Sequence, residues 1–187
     1  WRKIFSEQIG TPAKPGREDL HKLVEQPKLQ FKDGSVLNLA PLNQFVRLKQ
    51  LHISGSAITS VSVPESLFGL TSLHVTHSPV MKLDSLSMLT QLEDLNISDT
   101  PVDDLYPIWR LKELKKLNCS GTQVKRLDVL ERLESLEYLD CSNTNVSKLT
   151  PLEYLPLKTL RCYNTKASNR AIENFKATHP ECVVMFY

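Results

Sequence analysis

Residues 92–102 read LEDLNISDTPV, residues 114–124 LKKLNCSGTQV and residues 136–146 LEYLDCSNTNV. The three segments align column by column, and the alignment extends outward in both directions. Leu29, Leu51, Leu73, Leu95, Leu117, Leu139 and Leu160 follow one another at steps of 22, 22, 22, 22, 22 and 21 residues. Two residues after each stands an apolar residue: Phe31, Ile53, Val75, Ile97, Cys119, Cys141, Cys162. Five after stands a small, mostly hydroxylated one: Gly34, Ser56, Ser78, Thr100, Thr122, Thr144, Thr165. Seven after come Val36, Ile58, Val80, Val102, Val124, Val146 and Ala167. Ten after come Leu39, Val61, Leu83, Leu105, Leu127 and Leu149, and the last copy has no counterpart. A period in this range marks a solenoid, in which one unit cannot bury its apolar face alone and stacked neighbours share a core. A solenoid presents a long open surface rather than a closed pocket, so the first functional expectation is macromolecular binding.

Each repeat has a physical reading. The stretch around Leu51 or Leu95 alternates inward and outward, as a short strand does. Neighbouring repeats would pair these strands in parallel at roughly 4.8 Å. The three-residue steps through Leu127, Leu130 and Leu133 predict tight helical turns on the opposite, convex side. Pro41, Pro64, Pro107 and Pro151 fall at the entries to those turns and keep any helix short. The expected fold class is α/β: a right-handed coil with parallel strands on its concave face and short 3-10 turns on its convex face.

The pattern resembles the leucine-rich repeat family, whose core reads L-x-x-L-x-L-x-x-N-x-L. The resemblance covers about residues 28–167 and lies closest to the 22-residue class found in bacterial leucine-rich repeat domains. One departure is systematic: Thr, Ser or Gly replaces the family's Asn, which leaves only a short hydroxyl to satisfy the loop backbone.

The ends differ from the middle, as a solenoid's capping units must. Residues 1–27 are expected to form a helical N-terminal cap. Trp1, Ile4, Phe5 and Ile9 lie at helical spacing, Pro12, Pro15 and Gly16 break the helix, and Leu20, Leu23 and Val24 mark a second helix ending before Pro27. Seven repeats would fill residues 28–167. A C-terminal cap, residues 168–187, would carry a helix from Ser168 to Ala177 and a final apolar strand over Cys182 to Tyr187. The whole chain, 1–187, is read as one repeat domain.

The 187 residues are 41% hydrophobic and 24% charged, enough for one continuous core. A net charge of +2 does not point to nucleic acid or to an anionic membrane. No apolar run is long enough to span a membrane. Cys119, Cys141 and Cys162 share an inward column and are read as buried free thiols. They favour a reducing, cytoplasmic setting. No apolar leader follows Trp1-Arg2-Lys3 either, although a processed N-terminus would fit a secreted or surface protein.

The residues flanking each strand leucine form the outward face. The middle is short and polar, with Asn96, Ser98, Asn118 and Ser120 expected to be solvated. His52 and His74 should stack one strand spacing apart, with His77 nearby. Tyr138, Asp140, Arg161 and Tyr163 should cluster across two repeats, and Tyr and Arg are the types enriched in binding hot spots. With Lys116, these residues are the candidate partner contacts. On the convex side Tyr106 and Trp109 are expected to pack over the coil.

Enzyme motifs are missing from the sequence: there is no Gly-rich phosphate loop, no G-x-S-x-G and no H-E-x-x-H. His179-Pro180-Glu181-Cys182 lacks the paired ligands of a zinc site. Asp94, Asp99, Asp103 and Asp104 do not match a calcium loop. The sequence therefore predicts a monomeric, non-enzymatic module without cofactor or metal, binding a protein through its concave face. The alternatives are a spacer or C-terminal arm of a larger protein, or recognition of a non-protein ligand such as a glycan.

Overall fold

Among the described residues, eight short strands lie in one sheet, in sequence order and all parallel. The computed structural model describes residues 5, 16–32, 34 and 36–186, without the side chains of residues 17 and 20. The strands are β1 (Lys28–Phe31), β2 (Gln50–Ser54), β3 (Ser72–Thr76), β4 (Asp94–Asn96), β5 (Lys116–Asn118), β6 (Tyr138–Asp140), β7 (Thr159–Arg161) and β8 (Val183–Met185). Their register follows the leucine column, with Leu29 beside Leu51 and so on to Leu139 beside Leu160. The step of 21 at the last interval is absorbed where Leu155 and Leu157 stand two apart, instead of three as in the preceding repeats. The final strand is shorter than its sequence expectation of Cys182 to Tyr187, and Tyr187 lies outside the described residues.

The convex side consists of 3-10 turns, among them Ala40–Gln44, Glu65–Leu67, Tyr106–Ile108, Asp128–Arg132 and Thr150–Leu152. Pro41, Pro107 and Pro151 are the second residues of their turns, within the first turn, where a missing N–H costs nothing. Each turn drives an apolar side chain into the coil, Leu42, Leu67, Leu86, Ile108, Leu130 and Leu152, and the last buries Pro151 as well. With the strand leucines they make one core running the length of the coil. Each fully buried leucine contributes about 1.5–3 kcal/mol over its exposed state.

Two devices close the turns after the strands. Hydroxyls take over the role of the family's Asn. Thr100, Thr122, Thr144 and Thr165 each donate to the carbonyl three residues back, at 2.7, 2.6, 2.6 and 3.1 Å. In the N-terminal repeats Ser56 donates to Ser78 at 2.8 Å, across the repeat boundary. The second device escaped the column analysis. Gly55, His77, Asp99, Gly121, Asn143 and Asn164 all have φ between +49° and +67°. They occupy one column, four residues after the strand leucine. In this conformation the N–H groups of Gly55, Asp99, Gly121 and Asn143 reach carbonyls of the next repeat at 3.0, 2.9, 2.9 and 2.7 Å.

The caps are helical where described. Helix α1 (Arg17–Val24) buries Leu23 and partly buries Val24, and Phe5 meets the Phe45 ring at 5.6 Å. Trp1, Ile4, Ile9 and the Leu20 side chain lie outside the described residues. Helix α2 (Asn169–Thr178) begins one residue later than expected because Ser168 is its N-cap, accepting from the Ala171 N–H at 3.2 Å. Ile172 and Phe175 cover the end of the core. His179 stacks on Phe175 with centroids 4.2 Å apart, and its Nε2 lies 3.2 Å from the Leu155 carbonyl.

Candidate binding surface

The sheet geometry gathers the predicted C-terminal residues around Arg161. Tyr138 and Asp140 stand on β6, Arg161 on β7, and Tyr163 just beyond it. The guanidinium carbon lies 5.7 Å from the centre of the Tyr163 ring. The Tyr138 oxygen, accepting from the guanidinium, and then the Asp140 charge raise the Arg161 pKa further. Arg161 Nε is 3.4 Å from Asp140 Oδ2, yet Nε is buried with no hydrogen-bond acceptor in line. The contact is therefore Coulombic rather than a straight hydrogen bond.

Asp140 departs from the sequence expectation. Spacing places it outward with the others, but only 6% of it is exposed. Its carboxylate folds back along the chain, and Oδ1 accepts from the Ser142 N–H at 3.0 Å. Asn96 and Asn118 do the same for Ser98 and Ser120, each at 2.9 Å. The three are thus one ladder of side-chain caps. The middle of the concave face is half-buried and structural, not simply solvated.

His52 and His74 stack as expected, with centroids 4.0 Å apart and planes 5° from parallel. His52 Nε2 is 3.4 Å from Ser72 Oγ, and His74 Nε2 is 3.2 Å from Asp94 Oδ2. The latter contact is close but bent, since this nitrogen too is buried without an aligned partner. Burial lowers the His52 pKa below 6.5, helped by the His74 and Lys28 charges and opposed by Asp94. The bond from His74 is the main cause of the lowered Asp94 pKa. His77 is in the positive-φ column instead, with Nε2 3.3 Å from Asp99 Oδ2. Lys116 is exposed and stands beside Tyr138 in the β5–β6 register. Lys116, Tyr138, His74 and Asp94 edge a shallow hollow of about 260 Å³ that joins the two halves of the face.

Two surface residues were missed. Val183 pairs with Thr159 and Met185 with Arg161, so both lie on the concave side of β8, 55% and 36% exposed. In the sequence the apolar run Cys182 to Tyr187 reads only as a cover for the core. Alternation along a strand sends every second side chain to the other face. On the convex side the expected packing of Tyr106 and Trp109 is corrected. Tyr106 is 66% exposed at the corner of its 3-10 turn, where its N–H is held by Asp104 at 2.8 Å. Trp109 is half-buried, with the Arg110 guanidinium 4.7 Å above its ring.

Cys119, Cys141 and Cys162 are buried free thiols, and Cys182 is a half-buried one. Burial pushes the Cys119 thiol up to about 12 and Cys162 to about 11, and it raises Cys141 and Cys182 as well. Among the described residues no group of three or more His, Cys, Asp or Glu side chains is arranged to hold a metal ion. None of the described helices is long and apolar enough to cross a membrane.

A family model for leucine-rich repeats, two copies, matches residues 112–154. With the repeat columns and the solenoid of parallel strands, this gives the chain the fold of leucine-rich repeat proteins. Among solved structures it is similar to internalin C2 from Listeria monocytogenes, with a TM-score of 0.82 and 22% identity over 98% of this chain and 80% of that one. It is also similar to an internalin, inlF, of the same bacterium, with a TM-score of 0.82 and 19% identity over 100% of this chain and 55% of that one. A third is TLR13, solved in complex with ssRNA13, with a TM-score of 0.70 and 21% identity over 91% of this chain and 26% of that one. At these identities the likeness is one of fold. No curated protein matches the sequence.

Proposed function

We propose that residues 1–187 form a single, non-enzymatic repeat domain, monomeric on its own, that binds a protein partner on the C-terminal part of its concave face. Leucine-rich repeat domains typically bind proteins, which supports the coarser part of this reading. One observation carries the finer part: Tyr138, Arg161 and Tyr163 converge on the open face of β6 and β7, with Asp140 beneath them. Tyr and Arg held in this way make good anchors, because little side-chain freedom remains to be lost on binding. His52, His74 and Lys116 extend the same face toward the N-terminus. The concave face has too few aromatic rings in its middle for stacking on sugars.

The test is a Tyr138→Ala, Arg161→Ala double variant, checked for folding by circular dichroism. It is titrated against the protein that the immobilised wild-type chain retains from a lysate. Losing such anchors costs about 2 kcal/mol or more, roughly thirtyfold in affinity. Unchanged affinity would remove this surface and favour a spacer or arm of a larger protein.

A further inference from the structure

We infer that this surface reads a carboxylate carried on a partner polypeptide next to a bulky apolar side chain; the inference rests on the concave-face reading above. The charges that remain open to a partner decide what this surface can hold. Asp140 is buried, with one oxygen capping Ser142 and the other beside Arg161. Glu137 is paired with Lys158 at 2.8 Å. The acidic groups of β6 and its approach are thus already occupied.

The cations are less fully engaged. Lys116 is exposed and makes no ion pair within 4.0 Å among the described residues. Asp140 Oδ2 lies 3.4 Å from Nε of Arg161, whose side chain is 43% exposed. The guanidinium of this half-exposed side chain has two terminal nitrogens besides Nε. The group is steadied by the Tyr138 hydroxyl and the Tyr163 ring. A planar, positioned guanidinium matches a carboxylate through two parallel N–H···O bonds.

The neighbouring strand sets what should flank the carboxylate. Met185 stands beside Arg161 and Val183 beside Thr159, both exposed on the same face. Adjacent parallel strands are about 4.8 Å apart. An extended partner segment placing an acidic side chain on Arg161 therefore brings the next side chain of the same face, two residues on, to Val183 and Met185. A nucleic acid fits less well. Only Lys116 and Arg161 are open here, two strands apart, and the adjoining shelf is apolar, whereas a phosphate backbone is held by a track of cations.

The experiment uses the isotopically labelled full chain and four probes. They are capped hexapeptides whose one strand face carries Glu and Val in turn with Ser between them, the same peptide with Gln for Glu, the same peptide with Ser for Val, and a uridine hexanucleotide. The signals followed are the Arg161 Nε–H and the methyl groups of Val183 and Met185. The Glu–Val peptide is expected to shift all three. The Glu–Ser peptide should bind at least about tenfold more weakly, and the Gln–Val peptide should leave Arg161 unmoved. Arg161→Lys keeps the charge but not the fork, and should weaken the Glu–Val peptide by about tenfold. Met185→Ser, an exposed change, should weaken it while leaving the Arg161 shift in place. Equal affinity of R161K, equal binding of the Gln–Val peptide, or tighter binding of the uridine oligomer would overturn the inference. If the captured protein is lost on Tyr138→Ala, Arg161→Ala substitution while the Glu–Val peptide fails to bind, the carboxylate inference falls and the concave reading stands. If the peptide binds but the double variant keeps its partner, the concave reading falls, and with it the claim that the partner is read here.

Discussion

At Gly121 the backbone φ is +67°, and a Cβ built there runs into Asp99 Oδ1. Gly55 has nearly the same φ, +66°, but open space where its Cβ would be. Gly55→Ala should therefore cost only the left-handed conformation, about 1–2 kcal/mol. Gly121→Ala adds the displacement of Asp99 and should cost about 1 kcal/mol more. Urea melts giving equal losses would show that Asp99 yields freely. This column was illegible in the sequence because Gly, His, Asp, Gly, Asn and Asn share no hydrophobicity, only a tolerance for positive φ. The histidine pair was legible, because its two residues sit at the same place in consecutive repeats. It also predicts a pH dependence. The folded state lowers the His52 pKa below 6.5, so it binds fewer protons there than the unfolded chain. The resulting stability is present above pH 6.5 and is lost as pH falls through the lowered value. Asp94, lowered from 3.8, acts in the same direction at more acid pH. The urea midpoint should fall between pH 7.5 and 5.5, and His52→Gln should flatten that fall; an unchanged slope in the variant would contradict it.

Strands and turns were the most legible level. A leucine every 22 residues, with an apolar residue two places on, fixes both the register and the inward face. Leu95→Ala and Leu117→Ala should each destabilise the chain by about 2–5 kcal/mol. The neighbouring Asn96 and Asn118 are not inert, because their side-chain carbonyls hold the Ser98 and Ser120 N–H groups. Alanine there should cost about 0.5–1.5 kcal/mol, the worth of one hydrogen bond. Urea melts in which the asparagine variants lose as much as the leucine variants would place the inward face on the wrong column. The cysteine column gives an independent reading of the same register. Cys119, Cys141 and Cys162 should resist a thiol reagent in the native protein, while half-buried Cys182 reacts first. Fast native labelling of all four would show the column to be open. The outward residues were harder to read. Strand alternation gives a side chain's direction but not its bend, so Asp140 was placed outward although its carboxylate turns back onto Ser142.

At the scale of the molecule the coil presents two unlike surfaces. The convex side carries isolated exposed residues such as Tyr106 and Tyr154, each set on its own turn. The concave side ends in a connected group: Tyr138, Arg161 and Tyr163, with Val183 and Met185 on the strand beyond. The first part of this group followed from the repeat register. The second did not, since an apolar C-terminal run reads equally as a lid for the core or as an edge strand, and here β8 is both. The central claim is that the partner docks on this end of the concave face. It is tested most directly by amide hydrogen exchange of the full chain, alone and saturated with the protein it captures. Slowed exchange in β6, β7 and β8 and in the turn at Tyr163 is the predicted result. Protection confined to the convex turns around Tyr106 and Tyr154, with β6 to β8 unchanged, would contradict it.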